Sequence, residues 1–310
     1  MNGESMTVSE RTGGEPPDTR APAAGEPAAG GHRLQTGPQV APPSPPPPLP
    51  PGWTIAPPDF VGVGTMKSGT TWWWSVLIEH PDVTSSREAQ AAAECPGDDP
   101  RQRHRRIHRA KEVHFFDHLG QVLELDPASY HRYFPRPAGT IAGEWTPRYM
   151  HDFWTPPMLR AVAPRAKLLV MLRDPLARLA SALGFHRALT RRQDLAAVMD
   201  HQFGRAFYWQ QMQRLRAVFP DEQILVLQYE KCIAEPQRQA RRTFEFLGVD
   251  PDAWRPPHAL SDQVGLSFAA PTLTQATQDA FRQAIAPDIA RLLAAFPDID
   301  PALWPSAPRA

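Results

Sequence analysis

From Asp59 onward the chain alternates short apolar runs with stretches of helical period. Phe60-Val-Gly-Val-Gly64 is a compact apolar run of strand length, and Thr70 to His80 places Trp73, Val76 and Leu77 on one helical face. A second unit follows: Ala166 to Leu172 reads as a strand, then a helix opens at Asp174-Pro175, a capping residue before a proline suited to the first helical position. The third runs from the strand Gln223–Gln228 to a helix over Pro236–Leu247 that Gly248 ends. Strands separated by helices predict an α/β fold, a single domain over 59–310 with a mostly parallel central sheet flanked by helices. Residues 84 to 158, rich in Arg, His and aromatics, keep no regular period. Residues 275 to 296 predict an amphipathic helix with Ala280, Phe281, Ala284, Ile285 and Leu292 apolar, split by Pro287.

Residues 1–58 differ in kind. They hold 15 of the 37 prolines and almost no large apolar side chain before Trp53. Such a stretch cannot bury enough surface to offset its ordering entropy, so a disordered Pro/Gly/Ala-rich N-terminal tail is expected. Its Pro-Pro-Ser-Pro-Pro-Pro-Pro-Leu-Pro-Pro segment at 42–51 favours polyproline II and offers a docking site for a Pro-binding partner as a second use.

Composition narrows the function classes. Lys plus Arg equals Asp plus Glu at 33 each in 310 residues, which gives no global pull toward nucleic acid or an anionic membrane. Cys95 and Cys232 lie far apart without metal-ligand spacing, so neither a disulfide framework nor structural zinc is expected. The sequence has no run of 18 apolar residues and no signal-peptide order at its start, which makes a cytoplasmic protein without a membrane span the expectation. Lysine occurs only at 67, 111, 167 and 231, in a chain that otherwise uses arginine.

Two of those lysines fall in chemically suggestive places. Gly64-Thr-Met-Lys67-Ser68-Gly69-Thr70-Thr71-Trp72 lies where a strand hands over to a helix, so backbone N–H groups, the helix dipole and an ammonium converge on one anion. A Walker A loop places its Lys after the second Gly, whereas here Lys67 precedes Gly69 by two residues. Arg173-Asp-Pro-Leu-Ala-Arg178-Leu-Ala-Ser181 follows the second strand. Ser181 lies seven residues past the cap, roughly 10 Å along a helix, within reach of a phosphate shared with Arg173. In Lys111-Glu-Val-His-Phe-Phe-Asp117 an extended backbone puts Glu112 and His114 on one face, where a carboxylate can take a hydroxyl proton. Read singly, these segments are also a capped turn, an ordinary helix start and an exposed ion pair beside core phenylalanines.

Together they resemble the sulfotransferases that use 3′-phosphoadenosine 5′-phosphosulfate (PAPS), whose phosphosulfate loop has the form K-[ST]-G-T-T and whose second motif is R-[DN]-P-x-x-R-x-x-S. The resemblance covers residues 59 to 250 and implies a P-loop-like sulfotransferase fold, PAPS as sulfonate donor, 3′-phosphoadenosine 5′-phosphate (PAP) as product, and no metal. By it, Lys67 contacts the phosphosulfate bridge; Ser68, Gly69, Thr70 and Thr71 cradle the 5′-phosphate; Trp72 lies against adenine; and Arg173 and Ser181 bind the 3′-phosphate. Arg178 supports local structure; Tyr229, in a Tyr-Glu pair after the third strand similar to that of the cytosolic branch, is either a residue that approaches adenine or an ordinary core-edge tyrosine.

The K-E-x-H-F-F-D segment is similar to the carbohydrate, heparan-type branch, which implies Glu112 as catalytic base, His114 as its partner or an alternative base, and Lys111 beside the transferring sulfonate. Gly143-Glu-Trp-Thr-Pro-Arg-Tyr149 resembles that branch's acceptor-side G-E-K-[ST]-P-x-Y, with Trp145 in place of lysine. Trp145 is therefore expected to stack on an acceptor ring, and Arg148 to supply the charge. The acceptor implied is a carbohydrate or small-molecule hydroxyl. Two features stand apart: a basic run from Arg101 to Lys111, either a solvated loop or an anion-steering one, and a 264–274 segment lacking the family's usual basic residues. The rival functions are a magnesium-dependent nucleotide kinase or ATPase, and a catalytically altered nucleotide-binding module.

Overall fold

The structure is a computed structural model that describes residues 49–84, 111–117, 125–189, 195–255, 269 and 271–308. Five parallel strands form the central sheet: β2 (Phe60–Gly64), β3 (Val83–Thr84), β5 (Ile141–Trp145), β6 (Lys167–Leu172) and β7 (Ile224–Gln228), in the order β3-β5-β2-β6-β7. A separate antiparallel pair joins β1 (Trp53–Ile55) to β4 (Pro135–Pro137). The helices are α1 (Thr70–Leu77), α2 (Pro127–His131), α3 (Thr155–Val162), α4 (Pro175–Leu189), α5 (Leu195–Gly204), α6 (Tyr208–Arg216), α7 (Tyr229–Ala234), α8 (Pro236–Leu247) and α9 (Gln275–Ala295).

Strand periodicity sorts the core onto the two sheet faces. Val61, Val63, Leu168, Val170, Leu172 and Val226 belong to one buried cluster, while Phe60, Leu169, Met171, Leu225 and Leu227 belong to the other. Successive side chains of a strand point to opposite faces, so strands buried on both sides read as unbroken apolar runs. That is why β2, β6 and β7 were legible. β5 reads Ile-Ala-Gly-Glu-Trp, and its glycine and carboxylate mask it as a strand. The aromatic second cluster takes in Trp72, Trp73 and Trp74 of α1, with Trp73 Nε1 donating to Thr243 Oγ1 on α8 at 3.3 Å.

Several boundaries differ from expectation. Ordered chain begins before residue 59, because Trp53–Ile55 pairs with Pro135–Pro137; residues 1–48 of the expected tail lie outside the described residues. Helix α1 ends at Leu77 rather than His80, whose imidazole instead hydrogen-bonds the Asp250 carbonyl at 2.8 Å. Helix α9 is continuous through Pro287. Pro287 and Gln283, whose carbonyl it leaves unbonded, both face solvent, while Phe281, Ile285, Ile289 and Leu292 anchor the buried side. Ala280 and Ala284, expected on the apolar face, are exposed. Among the described residues no helix is long and apolar enough to cross a membrane.

Candidate active site

Because β2 is flanked by β5 on one side and β6 on the other, the segments leaving the carboxyl ends of these three strands come together, where ligands of open parallel sheets bind. Thr65 ties the first of these segments down: its N–H and hydroxyl both donate to the Met171 carbonyl, at 2.9 and 3.0 Å, and its Oγ1 lies 2.6 Å from Ser68 Oγ. Lys67 and Gly69 occupy the left-handed region with φ of 66° and 84°. A Cβ on Gly69 would lie 2.5 Å from the Tyr229 ring, so glycine is required for both conformation and space. Helix α1 follows Gly69, which has no side chain with which to cap it.

Cations crowd this loop. Lys67 Nζ lies 4.2 Å from the Phe185 ring centroid, and its pKa falls to about 8 through burial and repulsion from Arg173 and Lys111. Arg173 donates from Nη1 to the Lys67 carbonyl at 3.2 Å and stacks over Tyr229 at 4.7 Å. Ser181 sits partly buried on α4, and Trp72 is buried edge-on to Trp73 and Tyr229. Asp174 caps α4 through Ala177 N–H at 2.8 Å. Arg178, fully buried, binds Gln202 with two N–H groups at 3.1 and 2.7 Å and so joins α4 to α5.

Lys111 is 1% exposed and links the loop to the second segment. Its ammonium donates to Thr70 Oγ1 at 3.0 Å and Thr71 Oγ1 at 3.1 Å, and lies 2.8 Å from Glu112 Oε1. Burial lowers its pKa, against the pull of Glu112. Glu112 Oε2 meets His114 Nε2 at 3.0 Å, and His114 Nδ1 meets Asp117 Oδ2 at 2.8 Å. The hydrogen bonds to Asp117 and then Glu112 raise the His114 pKa to about 10, so the imidazole is cationic at neutral pH. Asp117 also lies 3.8 Å from Arg148, which in turn pairs with Asp152 at 2.6 Å.

A carboxylate that sequence reasoning gave no role holds this segment in place. Glu144 on β5 is fully buried and accepts from Val113 N–H (3.0 Å), Tyr130 OH (2.7 Å), Thr146 Oγ1 (2.6 Å) and Tyr149 OH (3.2 Å). Tyr149 OH also receives the Phe115 N–H at 2.9 Å. Burial raises the Glu144 pKa to about 7 while these donors pull it down. The G-E pair was visible, but its partners are supplied from four other positions.

Trp145 corrects an expectation. It is fully buried on the opposite sheet face, donates from Nε1 to the Gly64 carbonyl at 3.1 Å, and fills the space where a Cβ on Gly62 would come within 2.0 Å of its ring. It presents no face to an acceptor. It supports the strand that feeds the loop. Of the basic run, residues 101–110 lie outside the described residues, as do 264–268 and 270 of the atypical C-terminal segment.

A parallel α/β sheet with a lysine-bearing loop after its central strand, and a buried Lys–Glu pair beside that loop, is an arrangement suited to holding an anion. The chain belongs to the sulfotransferase family, whose model matches residues 58–254. It is 29% identical over 206 residues to human (Homo sapiens) heparan sulfate glucosamine 3-O-sulfotransferase 6, covering 62% of this chain and 52% of that protein. It is 29% identical over 129 residues to the membrane-associated sulfotransferase kil1 of Dictyostelium discoideum, covering 41% of this chain and 23% of that one. The matched region thus spans about half or less of these curated relatives. Its fold is like that of a sulfotransferase from Alicyclobacillus acidocaldarius (TM-score 0.58, 21% identity, 80% of this chain and 99% of that one). It is also like that of sulfotransferase STF9 from Mycobacterium avium (TM-score 0.50, 15% identity, 80% and 78%).

Proposed function

We propose that this protein transfers a sulfonate group in line from PAPS to a hydroxyl of a carbohydrate or natural-product acceptor, with Glu112 as base. The observation that carries the reading is the position of Lys111, whose one ammonium touches both loop hydroxyls and the Glu112 carboxylate. A base so tied to an anion loop is placed for chemistry on what the loop holds. The residues present fit the donor: the uncapped start of α1 and the Gly69 turn suit the 5′-phosphate, and Arg173 with Ser181 suits the 3′-phosphate. Trp72 and Tyr229 would flank the adenine.

When bound, PAPS supplies an activated sulfonate whose bond to the bridging phosphate oxygen breaks as the acceptor oxygen bonds to sulfur. Lys67 and Lys111 stabilise negative charge on the leaving phosphate and the equatorial sulfonate oxygens, as preorganised cations do in phosphoryl transfer. Glu112 takes the hydroxyl proton. His114, cationic between two carboxylates, orients Glu112 and does not itself serve as base. The heparan sulfate glucosamine 3-O-sulfotransferases among the relatives favour a carbohydrate acceptor.

Replacing Glu112→Gln tests the base. Labelled-sulfate transfer should fall about 1000-fold, about 4 kcal/mol in the barrier, with PAP affinity kept. Full activity in that variant would remove the assignment.

A further inference from the structure

The carboxylate of Glu112 faces two ways. Oε1 meets Lys111 and through it the donor loop, while Oε2 leads through His114 and Asp117 to Arg148. Beyond Arg148 lies a concentration of positive charge that the transfer chemistry described above does not use. Arg205, at the exit of α5, is 5% exposed, and its Nε has no hydrogen-bond partner. Its Nη2 lies 3.5 Å from the His201 imidazole. Among the described residues no carboxylate lies within ion-pair distance of it. Arg214 on α6 donates to the His151 carbonyl at 3.3 Å, and its Nε is buried and unpartnered, as is His151 Nδ1. The His151 and His201 rings stand edge to face with centroids 6.0 Å apart.

A guanidinium removed from water with the carboxylates that attract it, Asp152 and Asp117, beyond ion-pair distance is costly, by several kcal/mol in typical proteins, and a fold that keeps its Nε buried without an acceptor, among other cations and two imidazoles, is complementary to a negative group. We propose that Arg205, Arg214, His151 and His201, with Arg148 at the edge, form a binding site for one compact oxyanion, a carboxylate or sulfate ester. Planar forked donors suit such a group, and exposed His201 leaves the cluster open to solvent. The site stands on its own geometry. That the oxyanion belongs to the acceptor, and anchors it with its hydroxyl toward Glu112, rests on the transfer reading above.

The titratable groups add a signature. His151 is faced by Arg148 and Asp152 from its own turn, by His201 and Arg205 from α5 and its exit, and by Arg214 from α6; His201 is faced by Arg205, by His186 and Arg178 from α4, and by Arg148. Burial and then these cations lower the pKa of both imidazoles, that of His151 to about 3, so both are neutral at pH 7. An adjacent anion favours their protonated forms. Binding should therefore take up protons and strengthen as pH falls from 8 to 6.

Calorimetric titration of the full chain with sodium sulfate, with and without saturating PAP, tests the site. One sulfate site insensitive to PAP is expected, weakened at least tenfold in Arg205→Gln and in the less buried Arg214→Gln, largely kept in Arg205→Lys, with unchanged melting of Arg214→Gln. No sulfate site in the presence of saturating PAP, or one there that both glutamine variants leave intact, overturns the proposal. The source is then read from transfer to a hydroxybenzoate and its neutral methyl ester. Arg205→Gln raises KM tenfold for the carboxylate alone if the acceptor supplies the anion, whereas added sulfate alters the rate on the ester if a free anion does. A chain that holds sulfate at Arg205 but binds no PAP keeps the site and loses the transfer reading; one that binds PAP but no sulfate does the reverse.

Discussion

The two lysine-bearing segments of the site are built by opposite means. The loop from Thr65 to Thr71 is local: one strand end, two left-handed residues and a helix start shape it, and Thr65 fastens it to the neighbouring strand β6. The segment from Lys111 to Asp117 has almost no regular structure and is held from outside, by Glu144, Thr146 and Tyr149 accepting its N–H groups and by Lys111 reaching into the loop. A loop of the first kind can be recognised from a short string. A segment of the second kind depends on partners about thirty residues away.

The sharpest way to break the contrast is Lys111→Met, which removes the cation shared by both segments. It leaves Glu112 short of a partner in a buried place, and transfer should fall about 1000-fold (about 4 kcal/mol), measured as labelled-sulfate transfer at saturating donor. A drop confined to KM for the donor would mean that Lys111 serves the loop alone.

Removing Glu144 probes the outside support. Glu144→Ala orphans four donors in the core, and a loss of about 3 kcal/mol in unfolding free energy is expected from denaturant titration. In the folded fraction kcat should drop while PAP affinity holds, because the loop has its own fastenings. The Glu144 carboxyl also gives a pH test with a definite sign. Its folded pKa, near 7, is above the ordinary carboxyl value, so the folded state binds the proton more tightly. Stability from this group is full below about pH 4.5 and declines as pH rises through 7.

How much was legible follows the same division. β2, β6, β7, the start of α4 and the Gly248 stop of α8 announce themselves because apolar runs, an Asp-Pro start and a left-handed glycine are local signals. Arg173 donates to the Lys67 carbonyl across 106 positions of sequence, a contact that neither motif's own spacing announces. Trp145 was misassigned because a tryptophan beside site residues reads as a ligand surface, whereas strand alternation carries it to the far face of β5 from Glu144. The Arg205 cluster was invisible for a third reason: its members lie on α5, α6 and the turn after β5, and only the packing of α5 against that turn gathers them.

Gly69→Ala asks whether the loop's autonomy is real. The new methyl would sit 2.5 Å from the Tyr229 ring at a φ of 84°, two separate penalties. The conformational one is about 1 kcal/mol for a non-glycine residue, so PAP affinity should weaken roughly tenfold, read by calorimetry. Adding Tyr229→Ala removes the steric penalty and leaves the conformational one, so recovery should be partial.

The smallest effect is the most specific to the second segment. Asp117→Asn removes the strongest of the interactions that hold the His114 pKa near 10, and an imidazole titration followed by NMR should show that value fall toward, but not to, the ordinary one, since Glu112 remains. In the unaltered protein the raised pKa makes the His114 contribution to stability complete below pH 6.5 and lost as pH climbs toward 10; in the variant that loss begins and ends earlier. The imidazole is nearly half exposed, so solvent screens the pair and the change in stability is small. An unchanged titration in Asp117→Asn would assign the raised pKa to Glu112 alone and would cut the link from Glu112 to Arg148, leaving the Arg205 cluster to act without it.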